Sequence, residues 1–165
     1  MIWNFVIIGA VVAIFIILLR RIPAAVEAEK QEKKELSKEE ITIAGLLAQA
    51  DDAFEKKDFS KAEEIYIKAA SRDPQNAKVY NRLGVIYLEM GNSYDARDAF
   101  LQAIKLEPGQ ASRYANLGLA YLGLKDYYKA IQTLEEALKI DPRNKKYKGF
   151  LDKARKSYDK ENKKK

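Results

Sequence analysis

The chemistry open to this chain is bounded first by the residue types it lacks. It has no histidine and no cysteine. That removes the commonest general base, the thiol nucleophile, zinc–thiolate and iron–sulfur ligation, and any disulfide framework. Its paired acids, Asp51-Asp52 and Glu63-Glu64, are adjacent in sequence. Neighbours on a helix point about 100° apart, so neither pair makes a facing acid and base or a metal cage. No glycine-rich loop follows a strand pattern. The expectation is a protein with no catalytic residue, no metal and no cofactor, which acts by binding.

The remaining chemistry is charge. Lys and Arg number 30 against 24 Asp and Glu, a net +6. Residues 145–165 hold ten basic and three acidic residues, a net +7, so the rest of the chain is near neutral. Lys153, Arg155, Lys156, Lys163, Lys164 and Lys165 form this basic tail. It reads as the solvated face of a last helix, or as a weak contact with anionic lipid or nucleic acid that falls with salt. Most of the ten tyrosines recur at packing spacings rather than as a base-stacking platform, which disfavours nucleic acid.

The elements that position these groups begin with a membrane anchor. Ile2 to Leu19 carries no charge over 18 residues. As a helix it is about 27 Å long, near the hydrocarbon thickness of about 30 Å. Trp3 suits one interface and Arg20-Arg21 the other, and Pro23 helps to end the helix. The basic pair follows the apolar run, opposite to the layout of a cleaved signal peptide. The positive-inside rule places residues 20–165 in the cytoplasm. Gly9 and Ala13 make a small-residue pair of a kind common in apolar runs and sometimes used in dimers.

Residues 22–42 read as a charged, mostly helical linker, with Glu29 and Lys33 one turn apart. Ser37-Lys38-Glu39-Glu40 is a capping box that starts a new helix. Three contiguous units of 34 residues follow, 43–76, 77–110 and 111–144. Ala62, Ala96 and Ala130 coincide, as do Ala69, Ala103 and Ala137, and Pro74, Pro108 and Pro142. Tyr66, Phe100 and Leu134 share a large slot. Ala50, Gly84 and Gly118 share a small one. Apolar residues recur at helical spacing in two blocks per unit, so each unit is a helical hairpin. The hairpins turn at Lys57-Asp58, Gly91-Asn92 and Lys125-Asp126. Asp-Pro or Glu-Pro stops each second helix, and a polar residue such as Asn76 caps the next. Tyr147, Phe150, Leu151, Ala154 and Tyr158 form one stripe, so residues 145–160 should be a capping helix over the last hairpin.

This pattern resembles the tetratricopeptide repeat family. The second unit matches through Tyr80, Leu83-Gly84, Tyr87, Ala96, Phe100, Ala103 and Pro108, and the third has Leu134 in the phenylalanine slot. The first is degenerate, with Gln49 and Ala53 in its first helix. The expected fold is all-α: a transmembrane helix over 1–21, the linker 22–42, a three-repeat right-handed α-solenoid over 43–144, and a capping helix with basic tail over 145–165.

The resemblance implies a concave partner groove on the first helix of each unit. Its residues would be Leu47, Asp51 and Phe54; Lys78, Asn81, Arg82, Val85 and Leu88; and Ser112, Ala115, Asn116, Leu119 and Leu122. That floor is largely apolar, with Asn81, Arg82 and Asn116 as polar handles for an extended peptide or amphipathic helix. Alternatively, some of these leucines contact the capping helix instead. A subfamily that clamps chaperone C-terminal carboxylates uses Lys, Asn, Asn, Lys and Arg. Those slots here hold Leu47, Asp51, Arg82, Ser112 and Asn116, so that clamp is disfavoured. The expected function is a single-pass membrane scaffold that binds protein or peptide partners. The alternative is a membrane-surface or nucleic-acid tether acting through the basic helix.

Overall fold

The computed structural model describes residues 26–34 and 42–163. The chain divides into two units, Met1–Thr42 and Ile43–Lys165. In the first, residues 26–34 are helical and Lys33 Nζ lies 2.7 Å from Glu29 Oε1. The apolar run 2–19, Gly9, Ala13, Arg20, Arg21, the capping box at 37–40, and Lys164 and Lys165 lie outside the described residues. Among the described residues, no helix is long and apolar enough to cross a membrane.

The second unit is all helix: α1 (42–55), α2 (Phe59–Arg72), α3 (Ala77–Glu89), α4 (Ser93–Leu106), α5 (Ala111–Gly123), α6 (Tyr127–Ile140) and α7 (Lys145–Asn162). The hairpin turns share one geometry. Lys57, Gly91 and Lys125 adopt left-handed φ of 60°, 77° and 60°. The next amide donates back across the turn, from Asp58 N to Ala53 O (2.9 Å), Asn92 N to Tyr87 O (2.8 Å) and Asp126 N to Tyr121 O (3.0 Å). This closes the orphan carbonyls at each helix end. Asp58, Asn92 and Asp126 then cap the following helix, accepting from the amides of Lys61, Asp95 and Lys129.

Asn144 caps α7 as expected, accepting from the Tyr147 amide, but the links into α3 and α5 depart from expectation. Asn76 makes no side-chain cap on α3. Its Nδ2 instead donates to Asp73 Oδ2 at 2.9 Å, and Asn144 repeats the bond to Asp141 Oδ2 at 2.9 Å. Between α4 and α5 the corresponding residues are Glu107 and Gln110, and a different device closes the link. Arg113 is 3 % exposed. Its Nη2 lies 2.5 Å from Glu107 Oε2, and Nη1 donates to the Glu107 carbonyl. A buried guanidinium thus replaces an asparagine–aspartate bond, and Val79 occupies the same place one unit earlier, fully buried.

The core runs along the array in three linked clusters. Ala62, Ala96, Ala130, Ala69, Ala103 and Ala137 are all fully buried, letting the helices approach closely. Tyr66, Phe100 and Leu134 fill the large slot. A Cβ built on Gly84 would sit 2.6 Å from Phe100 Cε1, and one on Gly118 would sit 2.6 Å from Leu134 Cγ. In the first unit the small slot admits a methyl group, with Ala50 fully buried in the same cluster as Tyr66.

The helix α7 packs on α6 and touches α5. Leu151 and Ala154 are buried, with Tyr147 and Phe150 beside them. On its opposite side, Lys148, Asp152 and Arg155 stand where Tyr114, Gly118 and Tyr121 stand 34 residues earlier. A second helix packed on that side would have to bury those charges.

Candidate partner-binding groove

The helices α3 and α5 touch each other, as do α5 and α7. The helices α4 and α6 are further apart, leaving a hollow of about 460 Å³ floored by Leu117 and Tyr121 of α5. An array whose first helices lie closer together than its second ones curves toward the first helices. The concave side therefore belongs to α1, α3, α5 and α7.

At its N-terminal end, the groove-facing residues satisfy one another. Arg82 Nε lies 3.3 Å from Asp51 Oδ1, and Tyr66 Oη donates to the same oxygen. The Arg82 guanidinium also lies 5.6 Å over the Phe54 ring, which meets Phe59 edge-on at 5.7 Å. Leu47 and Phe54 pack on the first cluster. Burial, and then the Asp51 carboxylate, push the Tyr66 hydroxyl well above its ordinary range. Arg82 is therefore a partnered cation rather than a free handle.

The middle of the groove is apolar and half-buried. Val85 and Leu88 rest against Phe100 and Leu117, while Leu122 rests on the cluster that holds Leu151 and Ala154 of α7. Leu122 thus belongs to the cluster that the capping helix completes, while Val85 and Leu88 belong to another. Leu119 is half-buried and belongs to none of the three clusters. Asn81 and Asn116 are half-buried among these residues, and Asn81 Oδ1 is a buried acceptor with no donor. Lys78 and Ser112 are exposed. Ala115 is not a groove residue. It is 1 % exposed, in the cluster with Leu151 and Ala154, because α7 covers it.

The array also supplies a wall that family positions alone did not assign. One period of 34 takes Val85 to Leu119 and the next takes Leu119 to Lys153; in the same way Leu88 leads to Leu122 and then to Lys156. These lysines share one open face of α7 with Asp152, Ser157, Lys160 and the exposed Gly149. Of the basic-tail residues, Arg155 is tied down, with Nη2 2.8 Å from Glu135 Oε1 of α6. Lys153, Lys156, Lys160 and Lys163 have no ion pair among the described residues. No group of three or more acidic side chains is placed to hold a metal ion among the described residues.

With this geometry in view, family models for the tetratricopeptide repeat match residues 53–120 and 111–144. The first match begins after most of α1, the helix that carries Gln49 in a consensus leucine slot. No curated protein matches the chain. Among solved structures, the Sgt2 TPR domain from Aspergillus fumigatus is 22 % identical, with a TM-score of 0.69 over 74 % of this chain and 82 % of its own. The Arabidopsis OM64 TPR domain is 23 % identical, with 0.67 over 70 % and 95 %. The first TPR of Spaghetti (RPAP3), bound to the HSP90 peptide SRMEEVD, is 20 % identical, with 0.68 over 70 % and 92 %. At these identities the likeness establishes the helical-hairpin solenoid.

Proposed function

We propose, from the premise that this chain belongs to the tetratricopeptide repeat family across residues 53–144, that it is a scaffold holding a protein or peptide segment along α3 and α5. The observation that carries this reading is the half-buried apolar row Val85, Leu88, Leu119 and Leu122, flanked by the amides of Asn81 and Asn116. Such a row offers side-chain pockets to an extended or helical segment, and the amides offer partners to its backbone. Several neighbours in fold are complexes with HSP90 or HSP70 peptides. Here Leu47 and Ser112 replace the clamp lysines, and Arg82 is held by Asp51. Partner recognition therefore does not depend on a terminal carboxylate clamp.

The mechanism is binding without turnover. Residues 2–19 hold the scaffold at a membrane, with residues 20–165 on the cytoplasmic side. The uncharged 18-residue run and the arginines behind it support this. Anchoring raises the local concentration of whatever the groove holds. Protease added to intact cells should leave residues 43–163 undigested; digestion without lysis would reverse the orientation. Affinity capture with the full chain tests the groove. Leu119→Glu should lose the partner while helix content and melting temperature stay within a few degrees of wild type. Unchanged capture would remove the groove assignment.

A further inference from the structure

We propose that the partner segment carries an acidic stretch beside its apolar anchors, and that Lys153, Lys156 and Lys160 of α7 read it. This rests on the groove reading above and names the chemistry of what the groove takes. The repeat register places Lys153 and Lys156 where α3 and α5 present Val85, Leu88, Leu119 and Leu122, so the apolar row leads directly into a cationic wall. Lys153, Lys156 and Lys160 share one open face of α7 with a single acid, Asp152. Gly149 on the same face has nothing within 4 Å of its Cβ position, so a chain can approach the helix closely there.

Two other cations of α7 are engaged within the fold. Arg155 pairs with Glu135, and the Lys146 ammonium lies 5.7 Å over the Phe150 ring. At the far end Arg82 pairs with Asp51. The three α7 lysines therefore form no ion pair with a described residue, and the repeat register puts Lys153 and Lys156 on the groove side. A segment with apolar residues on α3 and α5 and Asp or Glu on α7 satisfies both halves. A bilayer fits less well, because the apolar row Val85, Leu88, Leu119 and Leu122 that the lysines extend is half-buried. The arrangement also gives the bound segment a direction, with its acidic end at α7.

The test uses the full chain in detergent and a phage-displayed random dodecapeptide library. Wild type should select sequences joining Leu, Ile or Phe to a run of Asp or Glu. A resynthesised peptide should bind about ten-fold more weakly when salt is raised from about 0.05 to 0.3 M. Lys153→Glu/Lys156→Glu/Lys160→Glu should lose that peptide and select Lys- or Arg-bearing sequences instead, with circular dichroism unchanged. Selected peptides that lack acids, or whose binding survives the charge reversal but not Leu119→Glu, would overturn this inference and leave the groove reading standing. No peptide retained by wild type would overturn both. Charge reversal that abolishes binding to phosphatidylserine vesicles while leaving peptide selection unchanged would assign the lysines to the membrane and also overturn the inference.

Discussion

Arg82 Nε lies 3.3 Å from Asp51 Oδ1, joining the first helices of two successive units across 31 residues of sequence. The contact does two things. It ties α1 to α3 at the N-terminal end of the array, and it pairs the carboxylate that also accepts from Tyr66 Oη. Both side chains are more than a third exposed, so water screens their attraction. A double-mutant cycle with Asp51→Ala and Arg82→Ala should give a coupling below about 1 kcal/mol in urea unfolding. A coupling of several kcal/mol would mean the pair sustains the fold rather than tuning the surface.

The hydroxyl that shares Asp51 gives a pH dependence. Tyr66 is 1 % exposed, and burial followed by the Asp51 carboxylate raises its folded pKa. Burial, and then Glu63, raise that of Tyr87 to about 12. A neutral form favoured in the folded state contributes stability fully below the ordinary tyrosine value of 10.0. That contribution falls as pH rises through the folded value. Between pH 9 and 11.5, wild type should therefore lose more melting temperature than Tyr66→Phe does. Parallel curves would deny the shift.

The small slots predict a ranking. Gly84→Ala drives a methyl into the Phe100 ring, and Gly118→Ala drives one into Leu134. Overpacking of this kind costs about 1–3 kcal/mol. The flat, fully buried ring has less room to yield than a leucine, so Gly84→Ala should shift the urea midpoint further than Gly118→Ala.

The turn geometry predicts stabilising changes. Lys57 and Lys125 hold φ of 60°, where a side chain is strained and Gly91 is not. Lys57→Gly and Lys125→Gly should each raise stability by about 0.5–1 kcal/mol, and Gly91→Ala should lower it by about 1 kcal/mol. Thermal melts of the three variants decide this.

Arg113 predicts a rescue. Arg113→Ala should cost about 2–4 kcal/mol, from a cavity plus lost charge-assisted bonds. Replacing the whole device by that of the flanking links, Glu107→Asp, Gln110→Asn and Arg113→Val, should bring unfolding back to within about 1 kcal/mol of wild type. No recovery would show that the guanidinium serves something other than this link.

These residues also mark what the sequence makes legible. The 34-residue period, the Tyr66/Phe100/Leu134 slot and the three turns could be read from spacing, because each is a local or repeated packing constraint. Asn76 could not be resolved, since a polar residue at a helix start looks the same whether its side chain accepts from the helix or donates backward to Asp73. Arg113 was not singled out in the sequence. Its one visible signal was the change from Asp-Pro-Gln-Asn and Asp-Pro-Arg-Asn to Glu-Pro-Gly-Gln at that link. Ala115 was placed by position alone, and its burial follows from α7, which lies outside the repeats. The Asp51–Arg82 pair is a tertiary contact with no local pattern. Lys153 and Lys156 were within reach: extending the register by one more period puts them in the groove rows.

The most direct measurement of the central claim is hydrogen–deuterium exchange of the full chain with and without its captured partner. A partner in the concave row should slow exchange in residues 82–89 and 116–123, with protection extending into 149–157 of α7. Protection confined to α4 and α6, around the hollow bordered by Leu101 and Thr133, would place the partner on the opposite side and contradict the account.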